Sequence, residues 1–174
     1  YEVSIMSAHN IYEEIDTNKF DVYPMWITND GYLADDADSR KVLNNPKMEV
    51  ANPHKVANIS NIIELKDRPE IDVFFPIVHG NLGEDGCLQG LFRVLDKPFV
   101  GDDVLAAAVT MDKEMTKILA QRAGVPVAKW IAVKRFEYND PDNEKLDYEY
   151  VASQLGSDLF VKPSNQGSSV GVSH

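Results

Sequence analysis

The chain has 174 residues, of which 44% are hydrophobic and 26% charged, a composition typical of a globular protein with its own core. Its net charge of −11 argues against a nucleic-acid binder, because such proteins carry a basic surface of Lys and Arg. Cys87 is the only cysteine, which excludes a disulfide within the chain, and no run of about 18 apolar residues predicts a membrane span.

The first part of the chain alternates between helical and strand patterns. Apolar residues at near-helical spacing predict a helix over 2–15, and the alternating stretch 20–28 predicts a strand that ends in the turn 29–31. The polar stretch 33–54 predicts a surface segment, and 56–65 a short helix.

The next elements flank a glycine-rich loop. The apolar run 72–78 predicts a strand buried on both faces, since it does not alternate. Apolar residues at i, i+3, i+4 and i+7 predict an amphipathic helix over 85–96, and 98–101 predicts a short strand.

The remaining residues continue the alternation of helices and strands, which predicts an α/β fold with a mainly parallel sheet. A shift in composition near residue 110 predicts two lobes, 1–110 and 111–174. The chain begins within a predicted helix and stops just after a strand and loop, so we expect it to be part of a longer protein. The predicted elements here are helices over 104–108, 112–122 and 148–155, strands over 130–133 and 159–162, and a polar loop over 138–147.

The loop 79–90 follows the predicted strand at the edge where open α/β sheets bind ligands. Its glycines allow a ligand to approach the backbone, so we predict that His79 binds a substrate carboxylate or carbonyl, the alternative being a histidine that fixes its own turn. We interpret Glu84 and Asp85 as acids that complement the dipole of the next helix, and Gln89 as structural.

Two lysines and a glycine-serine loop indicate a phosphate site. Lys162 lies at the predicted buried end of a strand, where a cation needs an anionic partner unless its side chain reaches solvent. The loop 167–171 exposes backbone N–H groups and hydroxyls but lacks the Gly-Lys-Ser/Thr of a Walker A motif. Lys113, in the first turn of a helix, opposes the helix dipole; it is either a solvated lysine or one with an anionic partner.

These segments, taken together and in order, resemble the D-alanine–D-alanine ligases of the ATP-grasp superfamily. The resemblance covers almost the whole chain, and its most specific part is the middle segment. The segments are Glu2-Val3-Ser4 with Ser7-Ala8, His79-Gly80-x-x-Gly83-Glu84-Asp85-Gly86-x-x-Gln89-Gly90, Met111-Asp112-Lys113, Lys162-Pro163-Ser164 and Gly167-Ser168-Ser169-Val170-Gly171.

The resemblance implies an N-terminal parallel-sheet (pre-ATP-grasp) lobe, lacking its first strand, followed by the start of an ATP-grasp central lobe. It implies a cytoplasmic ligase that joins two D-alanines through a D-alanyl phosphate, for peptidoglycan synthesis, cell wall biogenesis and cell shape. The implied cofactors are ATP and Mg²⁺, with Mn²⁺ as an alternative, and the implied assembly is a homodimer without nucleic-acid or membrane partners. The metal ligands and lid residues are expected C-terminal to this chain.

The resemblance also assigns roles to individual residues. Glu2 matches the glutamate that binds the ammonium of the first D-alanine, and His79 the histidine near that substrate's carboxylate. Ser168 matches the serine that links this glutamate to a lid tyrosine. Among the departures from the family pattern, Tyr1 replaces a usual His and Cys87 a common Thr.

For ATP, Lys113 and Lys162 match the two lysines that hold the phosphates and neutralise charge as the γ-phosphoryl group moves. Ser168, with Ser169 and the neighbouring amides, is expected to complete that phosphate loop.

Three alternatives stay open at this point. A D-alanine–D-lactate ligase has the same fold, and the lid residue that separates the two families is not in this chain. Another ATP-grasp carboxylate–amine ligase is disfavoured by the segment 79–90. A catalytically inactive nucleotide-binding protein would be indicated by loss of Lys113, Lys162 or Ser168, and all three are present.

Overall fold

A computed structural model describes residues 2–47, 50, 52–58, 68–140 and 142–174. The chain divides into two compact units, Tyr1–Val104 and Leu105–His174. Each helix of the described part is too short or too polar to cross a membrane. The predicted lobe boundary at residue 110 stays a prediction.

The described residues of the first unit form three helices and one small sheet, in which the two strands pair antiparallel. The helix predicted over 2–15 and the one predicted over 85–96 are confirmed, the second as a shorter helix. The elements are α1 (Glu2–Glu14), β1 (Tyr32–Ala34), α2 (Asp36–Asn44), β2 (Lys55–Asn58) and α3 (Cys87–Val94).

Helix α2 corrects the interpretation of 33–54 as a surface segment. The Asp35 side chain accepts a hydrogen bond from the Asp38 N–H at 2.8 Å, a cap that starts the helix. Ser39 and Val42 are buried on its inner face. The helix was missed because its apolar residues, Ala37, Val42 and Leu43, do not recur at the i, i+3, i+4 and i+7 spacing of an amphipathic helix.

The predicted strand over 20–28 is wrong. Its only strand-like contact in the described residues is a single antiparallel bridge between Ile27 and Leu33. The Trp26 N–H donates instead to the Ser39 hydroxyl at 3.2 Å, so a side chain takes the place of a neighbouring strand.

The neighbouring predictions have mixed outcomes. The turn at 29–31 is confirmed: Gly31 has a φ of +80° and its N–H donates to the Thr28 carbonyl at 2.9 Å. The predicted helix over 56–65 is wrong at 56–58, which belong to β2, and its remaining residues lie outside the described part.

The core of the first unit is built around the segment 72–78. Phe74 is stacked on Phe92, with ring centroids 4.6 Å apart, and forms a parallel bridge with Phe99. The predicted parallel pairing is present at this bridge, whereas β1 and β2 pair antiparallel. The prediction of burial on both faces is wrong, because Val73 and Phe75 are 47% and 49% exposed. The other buried members of this core are Leu33, Ile71, Leu88 and Leu95.

The helices of the second unit follow the sequence prediction, but its strands do not. No strand forms at 130–133 in the described structure, and the strand predicted over 159–162 is reduced to a bridge between Val161 and Ser173. The polar loop predicted over 138–147 contains one turn of 3₁₀ helix. The helices are α4 (Val104–Met111), α5 (Lys113–Arg122), the 3₁₀ turn Glu144–Leu146 and α6 (Tyr148–Leu155).

Candidate functional site

The first candidate site, which we call the histidine cluster, comprises Ser4, Ser7, His79, Gly80 and Glu84. The His79 N–H donates to the Ser4 hydroxyl at 3.0 Å, and the ring Nε2 lies 3.0 Å from the Ser7 hydroxyl. Ser4 and Ser7 are separated by three residues on α1, so both project from one face of that helix. Two side chains of α1 therefore position both the backbone and the ring of His79.

Glu84 closes the histidine cluster from the other side. Its carboxylate accepts the Gly80 N–H at 2.6 Å and lies 3.4 Å from Nδ1 of His79. The interpretation of Glu84 as a first-turn helix acid is wrong, because α3 begins only at Cys87. Glu84 instead holds the loop around His79 through these contacts. The sequence did not indicate this role, because Glu84 lies just before the start of a helix.

Asp85 lies before the helix too, and its carboxylate accepts the N–H groups of Leu82 at 2.8 Å and Cys87 at 3.0 Å. Burial opposes ionisation, but these hydrogen bonds outweigh it and lower the pKa of Asp85. The carboxylate in turn raises the pKa of the Cys87 thiol. Asp85 thus joins the loop to the start of α3 and satisfies an N–H that the helix cannot pair internally.

Close backbone packing fixes the loop that carries His79. A methyl group added to Gly83 would lie 2.1 Å from the Val78 carbonyl oxygen, so only glycine fits there. The buried Gln89 side chain donates to the Gly83 carbonyl at 2.9 Å, which agrees with its predicted structural role. No partner for the Gln89 Oε1 atom is found in the described part.

Glu2 is not brought to this cluster. It is exposed in the first turn of α1, and none of the hydrogen bonds of the described residues joins it to His79. At 100° per residue, Glu2 projects roughly 140–160° away from Ser4 and Ser7 around the helix. Its predicted role in binding an ammonium group stays a prediction from the resemblance.

The second candidate site, which we call the lysine cluster, comprises Asp112, Lys113, Ser164 and Gln166. The Lys113 N–H donates to the Ser164 carbonyl at 3.1 Å, and its amine donates to the carbonyls of Ser164 and Gln166. The Ser164 hydroxyl donates to Asp112 at 2.9 Å. The start of α5 is therefore tied directly to the loop that follows Lys162.

Asp112 is the N-cap of α5 and remains ionised. The Met115 N–H lowers the pKa of Asp112, the Ser164 hydroxyl and the Glu114 N–H lower it further, and burial opposes them. One carboxylate thus caps a helix and holds the loop at the same time.

Lys162 follows a bridge residue but is exposed, as are the preceding Phe160 and Val161. The predicted buried position is therefore wrong, and burial does not argue for an anionic partner. No carboxylate in the described part pairs with Lys162.

Ser168 and Ser169 adopt φ angles of +48° and +60°. Consecutive left-handed residues other than glycine are rare, because each costs on the order of 1–2 kcal/mol. Such strain is concentrated at functional sites. A methyl group on Gly171 would lie 2.8 Å from Pro163, so the loop also packs against the residue after Lys162.

No group of three or more His, Cys, Asp or Glu side chains within the described ranges is arranged to hold a metal ion.

Family models match both parts of the chain. The model for the D-Ala D-Ala ligase N-terminus matches residues 1–102, and the model for the D-Ala D-Ala ligase C-terminus matches residues 119–174. The chain belongs to the D-Ala–D-Ala ligase family. The resemblance drawn from the sequence segments is thereby confirmed.

Curated relatives that are similar over the whole of this chain carry the name of the same ligase. The chain is 99% identical over its full length to the D-alanine–D-alanine ligase of Lactobacillus johnsonii and 74% identical to that of Lactobacillus acidophilus. It spans about half, 48%, of the length of each.

Solved ligase structures confirm the α/β fold class. The match to the VanG D-Ala:D-Ser ligase from Enterococcus faecalis covers 99% of this chain and 50% of the ligase chain. The TM-score of this match is 0.72 and the sequence identity is 33%. The match to the D-alanine–D-alanine ligase from Coxiella burnetii covers 98% of this chain and 51% of the ligase chain. The TM-score of this match is 0.69 and the sequence identity is 30%.

Proposed function

We propose that the full-length protein joins two D-alanines, using ATP, to supply D-alanyl-D-alanine for peptidoglycan. The observation that carries the proposal is the match of both family models, in order, to one chain. The near identity to the Lactobacillus johnsonii ligase supports D-alanine as the second substrate rather than D-lactate. A cytoplasmic homodimer with a role in cell wall biogenesis and cell shape belongs to the same proposal.

The proposed reaction has two chemical steps, phosphoryl transfer and then attack by the second amine. A carboxylate oxygen of the first D-alanine attacks the γ-phosphorus, and the bond from that phosphorus to ADP breaks. The amine of the second D-alanine then attacks the acyl carbon, the bond to the phosphate oxygen breaks, and the amine loses a proton to solvent. Both steps develop negative charge on oxygen, which positioned donors stabilise.

We assign the first D-alanine to the histidine cluster. Ser7 holds Nε2 of His79 at 3.0 Å, whereas Glu84 lies at a longer 3.4 Å from Nδ1, so the substrate carboxylate can replace Glu84 as the acceptor for an Nδ1–H group. Glu2 as the counter-charge for the substrate ammonium is proposed from the resemblance alone.

We assign the nucleotide phosphates to the lysine cluster together with Lys162, Ser168 and Ser169. The amine of Lys113 donates to carbonyls of the loop and can exchange these acceptors for phosphate oxygens. The left-handed serines are consistent with a loop shaped for an anion. Mg²⁺, or Mn²⁺ in its place, would neutralise phosphate charge, with ligands that we expect C-terminal to this chain.

The proposal is tested by measuring phosphate release and product mass for the full-length protein with ATP, Mg²⁺ and D-alanine. L-Alanine, D-alanine plus D-serine, and D-alanine plus D-lactate are run in parallel. We expect D-alanyl-D-alanine with D-alanine alone, abolished in Lys162→Met and retained in the exposed-lysine control Lys129→Met. A mixed product with D-lactate or D-serine in excess over the dipeptide would overturn the substrate assignment, and ATP binding without turnover would leave only an inactive nucleotide binder.

A further inference from the structure

A serine, a histidine and a glutamate of the histidine cluster lie in contact in that order. The Ser7 hydroxyl lies 3.0 Å from Nε2 of His79, and the Glu84 carboxylate lies 3.4 Å from Nδ1 of the same ring. In this arrangement a nucleophile contacts a base, and a third group orients the base. The contact with Glu84 is long for a hydrogen bond, as catalytic contacts often are before a substrate binds.

The Ser7 hydroxyl is directed to the ring rather than back along its own helix. A hydroxyl within a helix commonly donates to the carbonyl four residues earlier, as Thr110 does to Ala106 at 2.8 Å. Among the described residues Ser7 makes no such bond, and its hydroxyl contacts His79 instead. Because the Glu84 carboxylate faces Nδ1, it favours the ring proton there, which leaves Nε2 free to accept the proton of Ser7.

Ser4 provides a hydrogen-bond donor on the same face of α1, one turn before Ser7. Its hydroxyl oxygen accepts the backbone N–H of His79 at 3.0 Å. It lies in the first turn of the helix, where no carbonyl of that helix lies four residues earlier, and its own proton has no acceptor in the described part of the chain. This proton is therefore available to an oxygen that becomes negative beside Ser7.

The cluster is open to a small molecule from solvent. The side chains of His79 and Glu84 are 40% and 49% exposed, and Ser7 is half-buried. The carboxylate of Glu84 and the net charge of −11 both disfavour the approach of an anion. The geometry and the charge therefore favour a small neutral acyl donor.

We propose that Ser7 is a nucleophile, with His79 as its base, that accepts the acyl group of small neutral esters. Oγ of Ser7 bonds to the acyl carbon while its proton passes to Nε2, and Ser4 donates to the carbonyl oxygen as it becomes negative. The bond from the acyl carbon to the leaving oxygen then breaks, and Nε2 returns the proton to that oxygen. Water hydrolyses the Ser7 ester with His79 again as the base. This activity goes beyond ligation and does not require it.

Hydrolysis of p-nitrophenyl acetate by the full-length protein, with mass spectrometry of its peptides, tests the inference. We expect a burst of about one nitrophenolate per chain, followed by slower turnover, and an acetyl group on Ser7. Ser7→Ala is expected to abolish the burst and the acetyl group. His79→Gln is expected to slow acylation roughly 100-fold or more, the usual contribution of a general base. Ser153→Ala removes an exposed hydroxyl of α6, is expected to behave as the wild type and is the matched control.

Ser7→Cys keeps the inference testable where Ser7→Ala fails to fold. A thiol at position 7 would have His79 as its base, whereas Asp85 raises the pKa of the exposed Cys87 thiol of the same protein. Iodoacetamide, a neutral reagent, is therefore expected to alkylate the thiol at position 7 faster than Cys87. Equal or slower reaction at position 7 would overturn the inference.

The ester assay also has outcomes that overturn the inference. These are a wild type without the burst, acetyl groups only on side chains other than Ser7, and a burst that Ser7→Ala retains. The outcomes separate the inference from the proposed function. Dipeptide synthesis without acetylation of Ser7 overturns the inference alone, and acetylation of Ser7 without ligase activity overturns the proposed function alone.

Discussion

The Nε2 atom of His79 lies 3.0 Å from the Ser7 hydroxyl, although 72 residues separate the two in sequence. This contact orients the ring that we assign to the substrate carboxylate. Ser7→Ala is expected to lower kcat/KM for D-alanine by roughly 2- to 12-fold, the loss that corresponds to a hydrogen bond of about 0.5–1.5 kcal/mol. Steady-state kinetics of the full-length protein measure it.

Ser153→Ala serves as the control for this prediction, because Ser153 lies exposed on α6 and its hydroxyl donates to the Tyr150 carbonyl. It is expected to behave as the wild type. An unchanged kcat/KM in Ser7→Ala, together with a large loss in His79→Ala, would show that the ring needs no support from α1.

For Glu2, the family resemblance and the structure predict different effects of the substitution Glu2→Gln. The resemblance predicts that Glu2→Gln abolishes ligation, because the ammonium of D-alanine would lose its counter-charge. The structure places Glu2 exposed, on the face of α1 turned away from Ser4 and Ser7, and therefore predicts that the KM for D-alanine stays unchanged in Glu2→Gln. The KM for D-alanine in Glu2→Gln, compared with Ser7→Ala, decides between them.

Gly83 is predicted to tolerate no side chain. A Cβ atom there would lie 2.1 Å from the Val78 carbonyl oxygen, so the backbone before His79 must move. Gly83→Ala is expected to cost about 1–3 kcal/mol in free energy of unfolding, as overpacking does, and to impair D-alanine binding. Urea unfolding and the KM for D-alanine measure the two effects.

Gly90→Ala is the matched control for this change. Gly90 lies in α3, and the nearest atom to an added Cβ is a Val104 methyl at 4.0 Å. Alanine is expected to be neutral or to stabilise by up to about 1 kcal/mol, because it favours a helix more than glycine does. Equal stability of the two variants would contradict the packing described at Gly83.

Asp112 makes stability depend on pH in the acid range. Since hydrogen bonds lower the pKa of Asp112 below its unfolded value, its contribution is complete above the unfolded pKa, about 3.9, and is lost as pH falls through the lower folded pKa. Asp112→Asn keeps a capping oxygen but does not titrate. The difference in unfolding free energy between wild type and Asp112→Asn is therefore expected to shrink below about pH 4. A difference that stays constant down to pH 2.5 would contradict the ionised cap.

The helices could be predicted because neighbouring residues determine where each helix begins and ends. Helix α5 is set by the Asp112 cap and ends just before Gly124, which has a φ of +80°, and α6 ends at Gly156. Both ends can be read from neighbouring residues. The strands depended on distant partners. The stretches 20–28 and 130–133 look like strands, but in the described structure the first has only the bridge between Ile27 and Leu33 and the second has no strand partner.

The candidate sites, like the fold, were predictable where neighbouring residues determine them and not where distant residues do. The glycines of 79–90 indicated a site at His79, and the family resemblance assigned a role to Lys113. The contact of Lys113 with the Ser164 carbonyl joins residues 51 positions apart, and no sequence pattern reports it. Glu84 was misread because an acid before a helix usually complements the dipole, whereas here a backbone N–H and an imidazole surround it.

The origin of the oxygen atoms in the released phosphate tests the central claim most directly. The full-length protein is supplied with ATP, Mg²⁺ and D-alanine labelled with ¹⁸O in its carboxylate, and the phosphate and dipeptide are analysed by mass spectrometry. Transfer through D-alanyl phosphate predicts one ¹⁸O atom in each phosphate and one dipeptide per phosphate. Unlabelled phosphate, or phosphate released without dipeptide, would contradict carboxylate activation and the ligase function with it.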